Sequence, residues 1–177
     1  MIINGDLNLN SCENLISLGN LTEVKGDLHC VTNIASLDKL TKVGGTLFVM
    51  FSKIKTLGNL KTVGCLDFQE NLRLKNTRDL EFVGGDCWLK YCRNLETLNK
   101  LYQVDGDLYL YGCELLESLG RLKFVKGDLD LRDCINIKSL GFLKSVGGKI
   151  HLNNSGISIK YIMDKKPQFK KQCNWEK

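Results

Sequence analysis

Two histidines, eight cysteines and a recurring set of aspartates are the residues of this 177-residue chain whose chemistry reaches beyond packing. His29 and His151 would act as general acids, general bases or metal ligands if each had a partner within hydrogen-bond reach. The eight thiols offer nucleophiles, metal ligands or disulfides. Asp6, Asp27, Asp86, Asp107 and Asp128 each follow a glycine, and carboxylates bind calcium when several oxygens converge on one ion. No Cys-x-x-Cys pair, His-Glu-x-x-His, Walker-type glycine loop or Gly-x-Gly-x-x-Gly after a strand organises these groups.

What must position them is a repeat. Gly5-Asp6-Leu7 returns as Gly26-Asp27-Leu28, Gly45-Thr46-Leu47, Gly64-Cys65-Leu66, Gly85-Asp86-Cys87, Gly106-Asp107-Leu108, Gly127-Asp128-Leu129 and Gly148-Lys149-Ile150, in steps of 21, 19, 19, 21, 21, 21 and 21. Such a period marks a stacked-repeat architecture. In the seventh unit the apolar positions are Leu129, Leu131, Cys134, Ile137, Leu140, Leu143 and Val146, and the sixth keeps the same offsets. The first two alternate, as a strand with one buried face does; the rest fall three apart, which suits an extended or 3₁₀-like return. A unit of 19–21 residues has no room for a long helix as well. The expected fold is a β-solenoid of eight coils of 19–21 residues, one parallel strand per coil, with a short C-terminal cap. Residues 1–162 form the solenoid and residues 163–177 a basic cap or tail.

Stacking converts equal offsets into ladders. Cys12, Cys92, Cys113 and Cys134 all stand seven residues after a repeat glycine, which predicts a buried row of reduced thiols, with Cys173 the most exposed cysteine. His29 and His151 share an offset but lie six coils apart, roughly 29 Å at ~4.8 Å per coil, too far for one site. The glycine is expected to supply a backbone angle that other residues avoid, and the aspartate to bond nearby amides at the turn. The offsets slip through Phe68, Leu72, Leu74 and Leu80, and the spacing before Gly64 is one residue short, predicting a bulge or bend. A strand at the very start predicts a first coil without a polar cap.

The pattern x-Leu-x-x-Leu-x-x-Val-x-Gly-x-Leu-x-Leu-x-x-Cys-x-Asn-Leu resembles leucine-rich repeats, whose strand segment reads Leu-x-Leu-x-x-Asn/Cys-x-Leu. Residues 122–131 (Leu-Lys-Phe-Val-Lys-Gly-Asp-Leu-Asp-Leu) and 21–30 (Leu-Thr-Glu-Val-Lys-Gly-Asp-Leu-His-Cys) are closer still to the receptor L domain of growth-factor receptors. The resemblance implies a right-handed solenoid used for binding and names no ligand. Receptor L domains are extracellular and carry disulfides, whereas the cysteines here fall mostly at ladder positions.

The outward residues of the strand can be read unit by unit. One column is Asn8, His29, Phe48, Asp67, Trp88, Tyr109, Asp130 and His151; the next is Asn10, Val31, Met50, Gln69, Lys90, Tyr111, Arg132 and Asn153. Phe48, Met50, Phe51, Trp88, Tyr91, Tyr109 and Tyr111 are therefore expected on the strand face, with Lys90 and Arg132 beside them. Exposed aromatic clusters with a charged rim mark protein interfaces. The alternative is aromatic neighbours that only shield a sheet.

The net charge of +5 is concentrated at the end of the chain, where six lysines after residue 159 meet only Asp164 and Glu176. Lysines without arginine give phosphate affinity without sequence reading, and Pro167 interrupts any amphipathic helix there. With 43% hydrophobic residues the chain is folded rather than disordered. No apolar run approaches the ~18 residues of a membrane span, and Met-Ile-Ile-Asn-Gly-Asp-Leu is not the basic-then-apolar start of a secretory signal. These readings predict a non-catalytic, cofactor-free, cytoplasmic module that binds a protein partner through its aromatic strand face. The alternatives are a small stand-alone inhibitor that masks an enzyme, such as a viral or bacterial counter-defence protein, a nucleic-acid binder through the lysine tail, and a homodimer that occupies the aromatic face itself.

Overall fold

The glycine-centred element of every unit becomes strand. The computed structural model, which describes residues 1–31, 33–50 and 52–174, is a parallel β-solenoid. In most coils the strand bends at the glycine into two short paired segments. Those before the glycine are Ile2–Ile3 (β1), Glu23–Val24 (β3), Phe82–Val83 (β7), Gln103–Val104 (β9), Phe124–Val125 (β11) and Ser145–Val146 (β13). Those after it are Leu7–Asn8 (β2), Leu28–His29 (β4), Cys87–Trp88 (β8), Leu108–Tyr109 (β10), Leu129–Asp130 (β12) and Ile150–His151 (β14). In the third and fourth coils the two run together as Lys42–Phe48 (β5) and Thr62–Asp67 (β6). Residues at equal offsets pair: Leu108 lies between Cys87 of the coil before and Leu129 of the coil after. The short spacing before Gly64 appears as a register shift between Val43 and Thr46, where β5 carries two glycines against the single Gly64 of β6.

The glycine is kept for a reason different from the expected one. None of the repeat glycines has a positive φ; that conformation occurs at Gly19, Gly58, Gly112, Gly120 and Gly141. The repeat glycine instead makes room for the coil before it. A Cβ on Gly26, Gly45, Gly106, Gly127 or Gly148 would fall on the carboxylate of Asp6, Asp27, Asp86, Asp107 or Asp128. Each of those carboxylates accepts the backbone N–H of the residue after the glycine, at 2.7–2.8 Å: Asp27, Thr46, Asp107, Asp128 and Lys149. The aspartate thus bonds an amide as expected, and the amide belongs to the next coil. Charge-assisted bonds of this kind are stronger than neutral ones. The interlock lapses at Thr46 and Cys65, in the coils where a continuous strand supplies the pairing.

A second corner closes each coil on the opposite side. Ser17, Ser36, Thr56, Thr97, Ser118 and Ser139 accept the N–H two residues on through their hydroxyls, and Asn76 does so through its amide oxygen. The residue donating that bond is in the left-handed region each time: Gly19, Asp38, Gly58, Arg78, Asn99, Gly120 and Gly141. Short polar side chains favour such turns because they mimic a backbone acceptor.

Leucine, valine and isoleucine columns fill the interior, most with no exposure. The thiol row is buried at Cys92, Cys113 and Cys134, and each Sγ donates to a carbonyl of the preceding coil (Phe68, Leu89, Leu110) at 3.1 Å. Burial pushes the Cys92 and Cys134 thiols up to about 12. All eight cysteines are free. The expectation that Cys173 is the most exposed is corrected: Cys12 is exposed, because it stands in the end coil, and Cys173 is half-buried beside Ile150. In the fourth coil Asn71 takes the row position, buried, and its amide donates to the carbonyls of Ser52 and Ile54 while accepting from the N–H groups of Arg73 and Leu74.

The two ends differ. In the first coil Ile3, Leu7, Leu9 and Leu15 are only partly covered and Ile2 and Ile16 are exposed. At the far end the helix Ile159–Lys165 (α1) and the turn Pro167–Phe169 bury Ile162 and Phe169 over the last coil. Cys173–Asn174 (β15) then pairs with β14, and Gln172 donates to the carbonyls of Val146 and Gly148.

Candidate functional site

The alternation that buries Leu108 and Leu110 turns Tyr109 and Tyr111 outward, and parallel register sets each outward residue on its counterpart one coil away. Trp88 and Tyr109 stack with ring centroids 6.3 Å apart and planes 4° from parallel. Tyr91 and Tyr111 meet edge to face at 4.9 Å, a favoured aromatic geometry. Cations complete the surface: Lys90 lies 4.5 Å above the Tyr109 ring and the Arg132 guanidinium 5.2 Å above Tyr111. Arg132 also makes a two-pronged pair with buried Asp130, at 2.9 and 2.6 Å.

Polar contacts fix these rings. The Tyr109 hydroxyl donates to Asp107 at 2.7 Å, and that bond pushes its phenol up to about 12. Hydrogen bonding to Tyr91, and then to Asp133, raises Tyr111 to about 12. Tyr91 stands in the left-handed region with φ of 57°, a conformation that costs a bulky residue energy and clusters at functional sites. Its ring occupies the space where Gly112, at the equivalent place in the next coil, has no side chain; a Cβ there would sit 2.7 Å from the ring. Open grooves of roughly 420 and 380 Å³ flank Tyr91, one with Glu70, Leu72 and Arg93, the other with Tyr111, Asp133 and Ile135.

The structure therefore brings together Trp88, Lys90, Tyr91, Tyr109, Tyr111 and Arg132. Phe48 and Met50 share the face but belong to a separate group: Phe48 stacks on His29 at 4.3 Å, and Asp67 with Gln69, bonded to each other at 2.9 Å, stands between the two groups. Phe51 lies outside the described residues. A second aromatic set falls outside the expected columns. Phe82, Tyr102, Phe124 and Phe142 crowd the face before the glycine, with Tyr102 and Phe124 5.4 Å apart and Lys123 over Tyr102. In the sequence Phe82 and Phe124 belong to one outward column, Glu23, Lys42, Thr62, Phe82, Gln103, Phe124 and Ser145, whereas Tyr102 and Phe142 stand at other offsets.

His29 and His151 take their places at different ends, His29 on Phe48 and His151 with its Nε2 3.6 Å from Asp128. Among the described residues no three His, Cys, Asp or Glu side chains are grouped to hold a metal, and no helix is long and apolar enough to cross a membrane. The aspartate row commits one oxygen of each carboxylate to the neighbouring coil.

The fold and the site together define a parallel β-solenoid with an aromatic, cation-rimmed strand face. No protein-family model matches the chain, and neither a curated protein nor a solved structure does.

Proposed function

We propose that this protein is a non-catalytic binding module of the leucine-rich-repeat kind that captures a protein partner through Trp88, Lys90, Tyr91, Tyr109, Tyr111 and Arg132. The observation that carries the proposal is Tyr91. Tyr91 stands at a left-handed turn that recurs at Glu70, Gly112, Asp133 and Asn154, so the turn does not call for a tyrosine; its ring, 38% exposed and seated on Gly112 of the next coil, adds instead to the outward aromatic face. Aromatic and arginine side chains dominate interface energetics because they bury much area at small entropic cost. A fixed platform also lowers the ordering cost of association. An inhibitor that masks an enzyme would use the same face in the same way.

The test begins with the molar mass in solution of wild type and of Trp88→Ala/Tyr109→Ala. A 20.0 kDa monomer in both leaves the face free; a dimer split by the substitutions assigns it to self-association. For a monomer, capture from lysate follows. A protein retained by wild type and lost by the double variant supports the proposal, and equal retention refutes it.

A further inference from the structure

The corner of left-handed residues carries a second surface, on the opposite side of the coil from the aromatic face. There Lys55 of the third coil, Arg73, Lys75 and Arg78 of the fourth, and Lys100 of the fifth line an open groove of about 570 Å³. Among the described residues the one carboxylate in its wall is Asp79, which Lys100 engages at 2.6 Å. Lys75 reaches Glu96 at 3.7 Å. Lys55, Arg73 and Arg78 form no salt bridge among the described residues, and the five cations of the groove share the single carboxylate of Asp79 in its wall, so the space keeps an excess of positive charge. The field is felt at Asp79: the Lys100 bond and charge, with Arg78 and Lys61 behind them, hold its carboxyl below the usual range. Like charges crowded at ~4.8 Å per coil repel unless an anion joins them. Guanidinium forks and ammonium groups together suit phosphate oxygens.

Beside this groove lies another of about 460 Å³, lined by Glu81, Phe82, Tyr102 and Arg121, and Lys100 belongs to both. Tyr102 is 42% exposed and carries Lys123 5.0 Å from its ring. A phosphate site joined to an aromatic surface through one lysine matches a ligand with phosphates at one end and a flat ring at the other. Bases stack on such side chains with little regard to identity.

We propose that this corner binds a nucleotide, its phosphates held by Lys55, Arg73, Arg78 and Lys100 and its base packed on Tyr102. A free nucleotide and a single strand of nucleic acid share that chemistry, and the probes separate them. Binding of ATP, inorganic tripolyphosphate and a ten-residue oligouridylate is measured by calorimetry at 50 mM salt. Three proteins are compared with wild type: Lys55→Gln/Arg73→Gln/Arg78→Gln, Tyr102→Ala, and the tail variant Lys165→Gln/Lys170→Gln/Lys171→Gln. Wild type is expected to bind ATP or the oligonucleotide at least threefold more tightly than tripolyphosphate. The groove variant should lose at least tenfold, Tyr102→Ala should abolish the preference over tripolyphosphate, and the tail variant should change nothing. Stronger binding of the oligonucleotide than of ATP assigns the site to a strand, and the reverse to a free nucleotide. No binding by wild type, equal affinity for ATP and tripolyphosphate, or loss through the tail variant instead of the groove variant would overturn the proposal. The substituted side chains are exposed, and a thermal melt within a few degrees of wild type verifies that each variant is folded.

Discussion

Three glycines at the same place in the repeat should respond differently to alanine, because what each faces differs. At Gly106 the new Cβ meets the Asp86 carboxylate and lies 2.6 and 2.7 Å from backbone atoms of Gly85 and Asp86. Neither backbone atom can turn aside, and overpacking of this kind costs about 1–3 kcal/mol. Displacing the Asp86 carboxylate also weakens its bond to the Asp107 N–H, worth about 1.5–3 kcal/mol for a charged acceptor. Gly106→Ala should therefore destabilise by about 3–5 kcal/mol, a fall in Tm of roughly 6–20 °C at ~2–4 °C per kcal/mol. At Gly85 the closest atom is the Cys65 Sγ, a side chain free to rotate, with Gly64 O next at 3.4 Å; the loss there should stay below about 1 kcal/mol. Gly5 has nothing within 4 Å, so alanine should be neutral or should stabilise by up to about 1 kcal/mol through the unfolded chain. Urea and thermal unfolding of the three variants make the measurement. Equal losses at all three positions would mean that backbone torsion, and not the carboxylate of the preceding coil, requires the glycine.

Asn71→Ala removes two donated and two accepted hydrogen bonds from a buried site and should cost about 3–5 kcal/mol, read by urea unfolding. Because folding raises the Cys92 and Cys134 thiols to about 12, their stabilisation is complete below the unfolded thiol range near pH 9. It is lost as pH climbs from there through the folded values, by about 1.4 kcal/mol per thiol per pH unit. Tm should fall steeply from pH 9 to 11, and less steeply in Cys92→Ala/Cys134→Ala. Native protein treated with a thiol reagent at pH 8 should modify exposed Cys12 fastest, and Cys113 only on unfolding; mass spectrometry of the labelled peptides identifies the order. Gly112→Ala strains a backbone of φ +72° and drives the Tyr91 ring from its seat, so it should lower Tm and weaken partner capture together, whereas Tyr91→Ala should weaken capture with Tm little changed, as thermal melts and pull-down would show.

The coil was legible because packing against a neighbour forces the same residue type to return at the same offset: Leu66, Leu108 and Leu129 each need another apolar residue above and below. The outward columns followed from alternation alone. What the sequence hid lies between coils. The steric reason for Gly106 is Asp86, 20 residues earlier, and a glycine read by itself suggests a torsion. The Asp67–Gln69 divide is visible only once neighbouring side chains bond. The basic corner draws Lys55, Arg73 and Lys100 from three coils: Lys55 stands in a stretch, residues 39–66, that holds five lysines and no acid, whereas acids flank Arg73 and Lys100, so only stacking shows that the three share one groove. The hydroxyls at Ser17, Thr56 and Ser118 were in plain view, but their role depends on the left-handed residue two places on.

The aspartate–glycine interlock also has a direction. Every carboxylate points toward the coil that follows, so the stack is a polar array with unlike termini. Gly5 presents an open socket, whereas Lys149 stands where the next carboxylate would be and Gln172 closes that end. The repeat is consequently a measured unit of length: a further Gly-Asp-Leu coil of 21 residues inserted between the sixth and seventh would find a carboxylate to receive it and a glycine to grip. The basic corner, built on the third to fifth coils, would be carried along unchanged, whereas Arg132 would part from the Tyr111 ring it now covers.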